Sequence, residues 1–87
     1  MLKIKDNVDL KIIYDYGFEY HGNYNRGDNW IRNVDDEVIR GIMIKGDWDN
    51  RKICFEFPYM NIKYPPLENY IQDLIKDGLV EKVEEWK

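Results

Sequence analysis

Residues 37–57 read Glu37-Val38-Ile39-Arg40-Gly41-Ile42-Met43-Ile44-Lys45, then Gly46-Asp47-Trp48-Asp49-Asn50, then Arg51-Lys52-Ile53-Cys54-Phe55-Glu56-Phe57. The last run alternates, with Ile53, Phe55 and Phe57 on one side and Lys52, Cys54 and Glu56 on the other. That is the two-residue period of a half-buried strand. The first run, rich in Val and Ile, predicts a strand over 37–45. The Gly, Asp and Asn between them supply turn chemistry, so the stretch reads as an antiparallel hairpin.

A helix is expected to pack on that hairpin. Pro65-Pro66 can open it, since Pro is tolerated in a first turn. Leu67, Tyr70, Ile71, Leu74 and Ile75 then fall at i, i+3, i+4, i+7 and i+8, one apolar stripe over 67–76. Gly78 caps it, and Leu79, Val80 and Val83 predict a last strand. Near the start, Leu2 and Ile4 alternate with lysines as a short strand. Asp6-Asn7-Val8-Asp9 carries capping residues, and Leu10, Ile13 and Tyr14 follow at helical spacing. This predicts a helix over roughly 8–16, closed by Gly17, with Phe18 packing back. Both helical segments end in apolar stripe, Asp, Gly and apolar residue. The lengths between them differ too much for a duplication, so shared capping chemistry accounts for it.

Residues 19–36 are the least regular. Gly22, Gly27 and several Asn punctuate them, although Tyr20, Tyr24, Trp30 and Ile31 fit two short strands around a loop. The fold expected is a single α+β domain over 1–87: a small antiparallel sheet of three to five strands with two helices on one face. Seven Tyr, three Trp and three Phe enlarge the core that so short a chain can build.

Composition excludes more functions than it names. The chain has no Ser, Thr or Ala, one histidine (His21) and one cysteine (Cys54). No hydroxyl nucleophile can pair with His21, and no second thiol or imidazole completes a zinc site. Neither catalysis nor a cofactor or metal is therefore expected. His21 with Asp28, Asp35 or Asp36 lacks ligand spacing and reads as a loop histidine. Asp47-Trp48-Asp49-Asn50 resembles the start of a calcium loop, but its sixth position is Lys52 where Gly is needed, and its twelfth is Pro58 where Glu is needed. Arg26-Gly27-Asp28 is a turn. The acidic runs 35–37 and 84–85 read as solvated flanks of strands. Cys54, outward on its strand, has no neighbour in sequence that would activate it. A formal charge of −4 argues against general nucleic-acid binding. The opening Met-Leu-Lys-Ile-Lys-Asp lacks a signal-peptide core and no apolar run is long enough for a membrane span, so a cytoplasmic location in a bacterial cell is expected.

The opening Lys-Ile-Lys-Asp-Asn-Val-Asp-Leu with Tyr-Gly-Phe resembles the start of short uncharacterised phage and prophage proteins of low-GC Gram-positive bacteria. The closing Tyr-Ile-Gln-Asp-Leu-Ile-Lys-Asp-Gly-Leu-Val-Glu-Lys-Val resembles their ends. The resemblance covers about a third of the chain and implies shared architecture and a mobile-element source. It carries no catalytic residue across. The richness in Ile, Lys, Asn, Asp, Glu and Tyr, whose codons favour A and T, points to an AT-rich genome of the same kind.

One constellation points to function. Tyr20, His21, Tyr24, Arg26, Trp30 and Arg32 combine the residues that dominate binding hot spots with adaptable Gly and Asn, and Trp48 sits at the hairpin tip. The plainer reading is that Tyr20, Trp30 and Trp48 cover the open face of a small sheet. As a site, Tyr24, Arg26, Trp30, Arg32 and Trp48 would bind a host bacterial protein. The specific expectation is a phage-encoded, anti-CRISPR-like inhibitor of a bacterial defence nuclease. The alternative is a nucleic-acid-binding accessory protein of phage replication or packaging, with Trp30 or Tyr24 stacking bases beside Arg26 and Arg32. A third reading is a structural component that forms a homodimer through an exposed aromatic face.

Overall fold

The computed structural model describes residues 1–24, 27–56 and 63–84, with the side chains of all of these except 23 and 24. The expected α+β architecture is present. Strands β2 (Glu19–Tyr24), β3 (Gly27–Asn33), β4 (Gly41–Lys45) and β5 (Ile53–Phe55) form an antiparallel sheet in that order. Strands β1 (Leu2–Ile4) and β6 (Val80–Lys82) form a second, two-stranded antiparallel sheet. A bridge between Lys3 and Lys52 joins the two sheets, with the Ile4 N–H donating to the Arg51 carbonyl at 3.1 Å.

The expected hairpin forms between β4 and β5, with Ile42 opposite Phe55, Met43 opposite Cys54 and Ile44 opposite Ile53. Its first strand is shorter than the 37–45 predicted. The Asp36 carboxylate accepts the N–H groups of Val38 and Ile39 at 2.8 and 3.1 Å, which holds that approach in a turn instead of a ladder. Phe57, predicted to face inward, lies outside the described residues. The irregular 19–36 stretch, by contrast, supplies the two longest strands. A bulge between Tyr20 and Asn23, with Gly22 at φ +82°, absorbs the glycine that looked like a breaker.

Both helical segments pack on one face of the larger sheet, as expected. Ile13, Phe18, Ile71, Leu74 and Leu79 from their side meet Trp30, Ile42, Ile44 and Ile53 from the sheet in one core, which also takes in Ile4. The first segment is a 3-10 helix, Leu10–Tyr16, with Asp9 as N-cap accepting from the Lys11 N–H. At three residues per turn its inward stripe is Leu10, Ile13 and Tyr16, so Tyr14, expected inward from a 3.6-residue period, stands 49% exposed.

The second segment splits into a 3-10 turn, Leu67–Tyr70, and α1, Gln72–Lys76. Arg32 explains the break. Its Nη2 donates to the Tyr70 carbonyl at 2.6 Å, the acceptor that the Leu74 N–H would use in a continuous α-helix. The Leu74 N–H turns to its neighbour's Asp73 Oδ1, at 2.9 Å. Leu67, Tyr70, Ile71 and Leu74 still face inward, while Ile75, predicted on the stripe, is 37% exposed.

Shared capping chemistry is visible at both helix ends. The Gly17 N–H donates to Tyr14 and the Phe18 N–H to Ile13; the Gly78 N–H donates to Ile75 and the Leu79 N–H to Leu74. Both glycines are left-handed, at φ +85° and +74°. Each pair is a Schellman motif whose apolar residue after the glycine is buried in the same core.

Candidate functional surface

The residues singled out as one aromatic loop are dispersed by the pleat of β3. Trp30, opposite Ile44 and Tyr20, points into the core and is 8% exposed. Its Nε1–H donates to the Tyr14 hydroxyl at 2.9 Å, so the indole is buried with its polar atom satisfied. Trp30 is therefore a core residue, which corrects its assignment to an exposed hot spot.

Arg32 is also committed internally. Its guanidinium donates to the Tyr16 carbonyl at 3.0 Å, to Asp73 at 2.6 Å and to the Tyr70 carbonyl at 2.6 Å, and it lies 4.7 Å from the Phe18 ring centre. Its planar fork joins the two helical segments across β3. A partner would have to break these bonds to use it. Arg26 and the side chain of Tyr24 lie outside the described residues.

Trp48 sits, as expected, at the hairpin tip, in a 3-10 turn over Asp47–Asp49, and is 44% exposed. Its indole lies against Gly27: a Cβ there would fall 2.0 Å from Nε1. Nε1–H donates to the Asp28 carbonyl at 2.9 Å, and the Lys45 ammonium lies 5.1 Å from the ring centre. Lys45 pairs with Asn29, on the alternate side of β3 from Trp30, so Trp48 occupies the opposite face of the sheet.

What the core face does present to solvent is a different set. Tyr14 is 49% and Tyr20 48% exposed, and both surround the edge of Trp30. Tyr20 meets the Trp30 ring edge-on at 5.6 Å between centres. Its O–H donates to Asp28 Oδ1 at 2.7 Å, and that bond, with partial burial and the carboxylate's charge, pushes the phenol's pKa up. The two tyrosines are thus exposed and fixed: one accepts from Trp30, the other donates to Asp28. Sequence named Tyr20 within the constellation but missed Tyr14, because the wrong helical period turned it inward. The three-residue spacing of Leu10, Ile13 and Tyr16 was the available signal.

Among the described residues no group of three or more His, Cys, Asp or Glu side chains is placed to hold a metal ion. His21 is exposed on β2. Cys54 is partly buried on β5, and that burial, the largest influence on it, raises its thiol pKa. No described helix is long and apolar enough to cross a membrane. Compared with family profiles, curated proteins and solved structures, the chain gives no match.

Proposed function

We propose that the protein is a binding module that engages another protein through the Tyr14–Tyr20–Asp28 surface. The observation that carries this reading is two half-exposed tyrosines held rigid by hydrogen bonds to Trp30 and Asp28. Large amphipathic rings already fixed in place lose little freedom on association and are over-represented among binding hot spots. Asp15 and Asp28 stand exposed along the same elements, so the surface suits a partner with basic character.

In its specific form the proposal is a phage-encoded inhibitor that covers the basic groove of a bacterial defence nuclease. A net charge of −4 and the acidic rim support it, as do the chain-end resemblances to phage proteins. The nucleic-acid reading loses its supports at Trp30, which is buried, and at Arg32, which is internally paired. Quantitative affinity capture from bacterial lysate with native and Tyr20→Ala baits tests the proposal. A nucleic-acid-handling enzyme enriched by the native bait and lost with the variant is expected. Identical captures with both baits, or salt-sensitive binding of free DNA or RNA in a gel shift, would overturn it.

A further inference from the structure

β1 meets β5 at the Lys3–Lys52 bridge with one edge and pairs with β6 along Leu2–Ile4 with the other; toward Met1 no further β1–β5 pairing forms among the described residues. That unpaired stretch opens a fork between the two sheets. An open cavity of about 400 Å³ fills it, walled by Met1, Leu2, Ile53, Phe55 and Leu67, with Lys52 and Lys82 at its sides.

The ladder aims backbone groups into this fork. Lys45 N–H donates to the Lys52 carbonyl and Glu56 N–H to the Gly41 carbonyl, both at 2.9 Å, so alternate residues of β5 bond toward β4. The alternation turns the N–H and C=O of Phe55 and the carbonyl of Ile53 the other way. β1 covers this edge of β5 at Arg51 and Lys52, and among the described residues no strand pairing is recorded along it at Phe55. The edge at β2 is different, because the Gly22 bulge disrupts it.

Charge selects among occupants. Lys52 and Lys82 form no ion pair among the described residues, and Glu68 is the one carboxylate lining the cavity. The fork is thus locally positive on a chain of net charge −4. Two copies meeting edge to edge would bring these lysines together, which disfavours self-pairing. A strand bearing carboxylates meets complementary charge, main-chain partners and apolar walls at once.

We propose that this fork binds an extended acidic peptide segment, which adds as a strand to the free edge of β5 between Lys52 and Lys82. The site lies at the opposite edge of the sheet from the tyrosine surface and does not depend on it.

The test is an amide NMR titration of the full chain with a short capped peptide of alternating Val and Glu. Saturable shifts centred on Ile53–Phe55 are expected, with protection of the Phe55 amide from exchange. The same peptide N-methylated at alternate residues should not bind, since its main-chain donors are blocked. Lys52→Glu/Lys82→Glu should weaken the Val–Glu peptide about tenfold and favour a Val–Lys peptide instead. Several results would overturn the proposal: no saturable shift along β5, equal binding of the methylated peptide, or displacement of the response to a concentration-dependent self-association. So would saturation by sodium dodecanoate without any response to the peptide, which would make the fork an amphiphile site.

Discussion

At the scale of single residues, Arg32 ties β3 to both helical segments. It holds the Tyr16 and Tyr70 carbonyls and Asp73 while its stem and plane lie over Phe18. Removing it would take the guanidinium donor from the Tyr16 and Tyr70 carbonyls and the ion pair from Asp73. Arg32→Ala should therefore destabilise the fold by about 2–4 kcal/mol in urea denaturation. Arg32→Lys should recover only part of this, because an ammonium cannot fork to three acceptors. The Tyr16 hydroxyl donates to Asp77, which pushes its pKa from 10.0 to about 12, first through that bond and then through partial burial. A phenol whose pKa is raised in the folded state stabilises it below the unfolded value, and this is lost as pH climbs through the folded one. Melting temperature should thus fall above about pH 10, and less steeply in Tyr16→Phe. On the acid side Asp36, held low chiefly by the Val38 and Ile39 N–H groups, contributes above 3.8 and loses that contribution as pH falls. Thermal melts across pH check both limbs.

At the scale of elements, the core stripe is what the sequence made legible. Leu74 is fully buried, and so is Ile71 beside it. Leu74→Asp should cost about 3–5 kcal/mol, enough to abolish the cooperative melt of so small a domain. Unchanged melting would show that this helix face does not pack. The hairpin and the glycine caps could be read because each depends on residues close in sequence, whereas the strand order was not legible there. Nor could the helix geometry be read. A 3-10 stripe differs from an α stripe by which tyrosine turns inward, and both patterns are present at Leu10, Ile13, Tyr14 and Tyr16. The break before α1 depends on an arginine 38 residues earlier, taking the Tyr70 carbonyl. The 19–33 strands were obscured because Gly22 and Asn29, which signal turns, are used here as a bulge and as a buried amide donating to the Gly27 carbonyl.

At the scale of the whole molecule, the sheet separates aromatics that lie close together in sequence. Local sequence shows which aromatics exist, and the pleat decides which face each occupies. Trp30 went to the core, Trp48 to the far face, and Tyr14 and Tyr20 were left outside on the core face. The central claim is that this last pair is a prepared binding surface and not incidental cover for Trp30. Its most direct test is the affinity of a captured partner for Tyr20→Ala, measured by calorimetry alongside the variant's melting curve. Tyr20 is half exposed, so the fold should persist, while loss of a hot-spot ring should weaken binding by about 2 kcal/mol, roughly thirtyfold. A folded Tyr20→Ala that binds its partner within twofold of the native chain would contradict the account.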